Sequence, residues 1–80
     1  DNLSELLEYL AKSLVEHPED VRVRSHRSGS MVYLDLTVNP EDLGRVIGKH
    51  GRIATATRTL LRVAAARNGQ QVTMNVVDTD

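Results

Sequence analysis

Few side chains in this sequence could carry out covalent chemistry. There is no cysteine, which excludes disulfides, thiolate nucleophiles and sulfur-ligated metals. His17, His26 and His50 are scattered and lack the spacing of a metal site. No metal or other cofactor is therefore expected. Glu19-Asp20 and Glu41-Asp42 are paired acids, but each pair follows a proline at a helix start or turn. Capping accounts for them better than acid–base work. No nucleophile stands in a pattern with a base, so no catalytic residues are assigned and an enzyme is not expected. The segment suited to binding is Val46-Ile47-Gly48-Lys49-His50-Gly51-Arg52. Glycine at each end of a four-residue turn permits positive φ and leaves no Cβ to block an approaching chain. A helix beginning just after the second glycine would present unpaired N–H groups and a partial positive charge, which suits phosphate. Lys49 adds a mobile cation and His50 a donor, with Arg45 and Arg52 flanking. The turn has neither the long glycine loop nor the following Ser/Thr of a nucleotide-hydrolysing P-loop.

The elements that must hold this turn are legible in the periodicity. Leu3, Leu6, Leu7, Leu10, Leu14 and Val15 recur at helical spacing, predicting a helix from about residue 3 to 16, capped by Asn2 or Ser4 and stopped by Pro18. Val21 to Arg24 alternates as a strand. Ser28-Gly29-Ser30 is a turn, and Met31 to Val38 alternates again, which together predict an antiparallel hairpin with one covered face. Asn39-Pro40-Glu41-Asp42 starts a short second helix, with Asn as cap and Pro at the first position. A third helix runs from Arg52 to about Arg67 and ends at Asn68-Gly69. Val72, Met74 and Val76 alternate in a last strand. The order α-β-β-α-α-β predicts a two-layer α+β sandwich, three strands with helices on one face.

The chain is 80 residues long and 40 % apolar, which fits one domain with a modest core. No apolar run reaches membrane-spanning length. Residues 1–8 have no basic head or apolar middle of a signal peptide, so a cytoplasmic location is expected. The net charge is −1, but the charges are segregated. Residues 1–20 hold six acids against one base, Lys12, whereas residues 44–69 hold six bases and no acid. A local cationic patch of this kind favours a polyanion despite the net charge. Tyr9 and Tyr33 are the only aromatics, too few for an extended base-stacking platform.

Val46-Ile47-Gly48-Lys49-His50-Gly51 resembles the Ile-Gly-x-x-Gly signature of the KH domain. The element order resembles its type II topology, and most of the chain resembles the small bacterial KH proteins of the KhpA family. Glu8-Tyr9-Leu10, Pro18-Glu19-Asp20-Val21, Pro40 to Lys49, Gly51-Arg52 and Arg58-Thr59-Leu60 carry that likeness. It implies a single-stranded RNA-binding protein whose Gly48-Lys49-His50-Gly51 loop clamps the sugar–phosphate backbone of about four nucleotides. It further implies an apolar groove for the bases, lined by Leu43, Val46 and Ile47, with Val32 or Leu34 from the sheet. Those residues have plain core as their alternative role. The family implies homodimers, a larger partner of the KhpB (Jag) type and an RNA chaperone or regulator role.

The sequence departs from the family at one point. A large aliphatic residue is usual three positions after the second glycine, where this chain has Ala54. Ile53 stands beside it, and Ile53, Ala56, Leu60 and Val63 form a second apolar stripe next to Ala54, Leu61 and Ala65. One helix of a small sandwich rarely needs both, so the second stripe is expected to meet another copy. The rival reading is a protein-interaction or dimerisation module whose Gly-x-x-Gly is only a structural turn.

Overall fold

The structure is a computed structural model that describes residues 2–77. Helix α1 (Asn2–Leu14) leads through a 3-10 turn at Pro18–Asp20 to strands β1 (Arg22–Ser28) and β2 (Met31–Thr37). A second 3-10 turn, Pro40–Asp42, opens helix α2 (Leu43–Ile47); helix α3 (Arg52–Arg67) and strand β3 (Gln71–Val77) follow. The predicted α-β-β-α-α-β order and α+β class are those observed.

The sheet order is β1-β2-β3, with β1 antiparallel and β3 parallel to β2. Gly29 alone of the two hairpin residues has positive φ, as a type II′ turn requires. Alternation places Val32, Leu34, Leu36 and Val38 in the core, together with Val72 and Met74 of β3 and Leu3, Leu7 and Ala11 of α1. From α3 the core takes Leu61 and Ala65; Ala54 and Thr57 are also buried on that face. The end of α3 is a Schellman motif: Gln70 N–H donates to Ala65 C=O and Gly69 N–H to Ala66 C=O, with Gly69 at φ +68°.

Strand β1 begins at Arg22 rather than Val21 and β2 ends at Thr37 rather than Val38; three further differences from the sequence reading have a physical cause. First, β1 extends to Ser28 rather than ending near Arg24. Its backbone ladder with β2 runs on to Ser28↔Met31, and an edge strand with one open face needs no further apolar side chains to do so. Second, α1 ends at Leu14, not near residue 16. The N–H groups of Glu16 and His17, which further helix would engage, donate instead to the two carboxylate oxygens of Asp42 at 3.1 and 3.0 Å. Third, the two residues offered as caps, Asn2 and Ser4, both lie inside α1, and the residue preceding the helix is outside the described residues.

Candidate functional site

Gly48-Lys49-His50-Gly51 forms the connection between α2 and α3. Gly48 adopts φ 78°, ψ 169°, and its N–H donates to Gly44 C=O at 2.8 Å, closing α2. Lys49–Gly51 is one tight turn, tied by Gly51 N–H to Gly48 C=O at 3.0 Å. His50 is the only described non-glycine residue at positive φ, 58°, and Gly51 follows at φ 74°. Two consecutive left-handed residues turn the chain sharply into α3, whose start no side chain caps. Arg52 N–H closes onto Lys49 C=O; the other first-turn N–H groups have no side-chain cap and keep their capacity for an anion. Lys49, His50 and Arg52 are exposed.

The two glycines are needed for different reasons. A Cβ on Gly48 would lie 2.6 Å from Ile53 Cγ1 and 2.8 Å from the Ile53 backbone nitrogen, whereas a Cβ on Gly51 would meet nothing within 4 Å. Ile53, expected at a subunit contact, is thus half-buried against the first glycine of its own loop. The other members of its stripe stay open: Ala56 is exposed, Leu60 is 53 % and Val63 52 % accessible. Leu60, Val63 and Ala64 border an open groove with Leu3 and Leu6 of α1.

The residues expected to line the base groove do not behave alike. Val46 turns inward and is core, and Val32 and Leu34 are sealed beneath the helices; a base could not reach them. Leu43 is half-buried and Ile47 remains accessible. Strand β2 is paired on both sides, so the sheet edge nearest α3 is β3. A cavity of about 230 Å3 lies there, lined by Arg58, Leu61, Arg62, Val72, Thr73, Met74 and Asn75. Arg58 Nε donates to Met74 C=O at 3.1 Å, fixing one arginine at the strand edge. Arg58 and Arg62, one helical turn apart, were the sequence signal for this wall.

Arg45 does not face the loop's ligand side as a free cation. Its guanidinium pairs with Glu16 at 3.0 Å and with Asp42 at 3.2 Å. Asp42 is the other residue that motif reasoning misplaced. Asn39 is the cap, accepting from Glu41 N–H at 2.8 Å, while Asp42 is buried and joins the exit of α1 to the entry of α2. Burial alone would raise its carboxyl pKa. The Glu16 and His17 N–H donors, followed by the charges of His17 and Arg45, outweigh that and hold it below its ordinary value. His17 sits at the same junction, its Nε2 3.1 Å from Glu41 and its Nδ1 3.6 Å from Glu19. Burial would lower its pKa; the Glu41 hydrogen bond and the charges of Asp42, Glu41 and Glu19 raise it.

Comparison with known proteins places this geometry. The family described as "KhpA/KhpB, KH domain" matches residues 4–76. A relative from Leifsonia xyli subsp. xyli, named RNA-binding protein KhpA, is 49 % identical over 76 residues, 95 % of this chain and 97 % of its own. Another of that name, from Halalkalibacterium halodurans, is 42 % identical over 73 residues, 91 % of this chain and 96 % of its own. Among solved structures, Era in complex with MgGDPNP and nucleotides of 16S ribosomal RNA superposes with a TM-score of 0.68 at 19 % identity. That likeness, which is one of fold, covers 92 % of this chain and 28 % of the Era chain.

Proposed function

This chain belongs to the KhpA/KhpB KH-domain family, and from that premise we propose that it is a non-enzymatic protein that binds single-stranded RNA and clamps its backbone with Gly48-Lys49-His50-Gly51. The observation that carries the reading is the turn itself. A Cβ on Gly51 would face open space, no side chain caps the start of α3, and Lys49, His50 and Arg52 are exposed beside it. Phosphates lie over the turn and the α3 N-terminus. The bases then follow α3 past Ile47 toward the cavity against β3, where Arg58, Arg62, Thr73 and Asn75 offer donors and acceptors. Arg58 stands about 9 Å along the helix from Arg52, within the reach of the same short strand.

Assembly belongs to the same proposal. The uncovered face of α3, Ala56, Leu60 and Val63, pairs with its counterpart in a second copy, and a larger KhpB/Jag-type KH protein is a further partner. The cellular role is that of a cytoplasmic RNA chaperone or regulator. The rival, an interaction module whose Gly-x-x-Gly is only a turn, draws on the same apolar face.

The double substitution Lys49→Asp with His50→Asp separates the two readings. Both side chains are exposed, so circular dichroism should be unchanged, while two carboxylates facing phosphate should abolish the gel shift of a single-stranded RNA. Retained binding overturns the clamp and favours the rival.

A further inference from the structure

The helices cover one face of the sheet, and among the described residues no element covers the other. Alternation brings Arg24 and His26 of β1, Tyr33 and Asp35 of β2, and Thr73 and Asn75 of β3 to that open face. Tyr33 is 43 % accessible, at the middle of the central strand. His26 is its cross-strand partner, the two rings 6.0 Å apart and inclined at 33°. One tyrosine is not a platform, but a tyrosine with a tilted imidazole beside it offers a base two neighbouring ring faces, and every base has a stackable face.

The face also has the charge and the position for a nucleic acid. Arg22 and Arg24 stand on it against the single acid Asp35, and Arg24 has no hydrogen-bond or ion-pair partner among the described residues. Thr73 and Asn75 line the cavity against α3 and are also the register partners of Tyr33 and Asp35. The two surfaces therefore meet at the β3 edge. With strands about 4.8 Å apart, Tyr33 lies one strand and His26 two strands in from that edge.

We propose that the open sheet face is a second contact surface for the same RNA strand, which leaves the α3–β3 cavity over Thr73 and Asn75 and stacks a base on Tyr33 and His26, with Arg24 taking a phosphate. This rests on the RNA-binding reading above, and the test keeps the two apart. Random-sequence single-stranded RNAs of about four and about ten nucleotides are titrated by fluorescence anisotropy, the shorter matching what one clamp covers. The longer RNA should bind more tightly. Tyr33→Ala should weaken it about five- to tenfold, the size of a lost stack, and leave the shorter RNA unchanged. Tyr33→Phe should bind like the parent protein. Arg24→Glu should also weaken only the longer RNA, which keeps the test independent of whether Tyr33→Ala folds. If both Tyr33→Ala and Arg24→Glu bind the longer RNA as the parent does, while the Lys49/His50 double variant does not bind it, the second surface is overturned and the clamp stands. If the unaltered protein binds neither RNA, both fall.

Discussion

Single residues in the turn carry separable tasks, and stability measurements can tell them apart. Gly48 combines positive φ with a Cβ position already occupied by Ile53. Gly48→Ala should cost about 2–4 kcal/mol in urea denaturation, the sum of backbone strain and overpacking. Gly51→Ala carries the strain alone and should cost about 1 kcal/mol. Equal costs would mean that Ile53 yields freely. The His17 junction makes a pH prediction. His17 has a raised pKa, so its stabilising contribution is complete below its ordinary 6.5 and is lost as pH rises through the raised value. Asp42 has a lowered pKa, so its contribution is complete above its ordinary 3.8 and is lost as pH falls through the lowered value. The melting temperature should therefore be highest between those two limits and fall as pH rises above 6.5 through the raised His17 value, and His17→Gln should flatten that alkaline decline. The turn at Gly48 and Gly51 was legible in sequence because an apolar Val46-Ile47 precedes it and a helical pattern begins directly after it. The role of Asp42 was not. A carboxylate after Asn-Pro reads as a cap, and only the fold shows that residues 16 and 17 bring their N–H groups to it.

At the level of elements, α3 is a helix with two apolar faces and one core to serve. Leu61 is fully buried and Leu60 half accessible. Leu61→Ala should cost about 2–5 kcal/mol. Leu60→Asp should leave the fold intact and convert a dimer to a monomer in light scattering; an unchanged dimer places the contact elsewhere. Ile53→Asp is a poorer probe of assembly, because Ile53 also supports Gly48 and its loss would disturb the clamp. Helix α3, read from Arg52 to about Arg67, was legible because Gly51 directly precedes it and Asn68-Gly69 follows it. The second half of β1 was not, because Ser25 to Ser28 has no apolar alternation and is held by the β2 ladder. The wall of the base groove was misjudged for a related reason. Val32 and Leu34 alternate as any half-covered strand does, and sequence does not say whether a strand is central or at an edge.

The described residues span 35 × 22 × 19 Å, so one short RNA can touch the turn, the cavity and the sheet. The chain's net charge of −1 gives no general attraction for RNA, and binding must depend on the local cations. With about three phosphates engaged, the logarithm of affinity should fall with the logarithm of salt at a slope of roughly −2. Isothermal titration across a salt series checks this, and a flat response would remove the electrostatic clamp. The parallel pairing of β3 with β2 bears on something else, the order of events in time. Residues 38 to 70 must be made and folded back before β3 can dock on β2, and such long-range parallel pairing is slow. That stretch holds the Gly48–Gly51 turn, and β3 holds the far wall of the cavity. Until β3 docks, the central strand keeps a bare hydrogen-bonding edge beside an apolar face, the arrangement most prone to misassociation. One docking step thus both completes the α3–β3 cavity and removes the aggregation hazard.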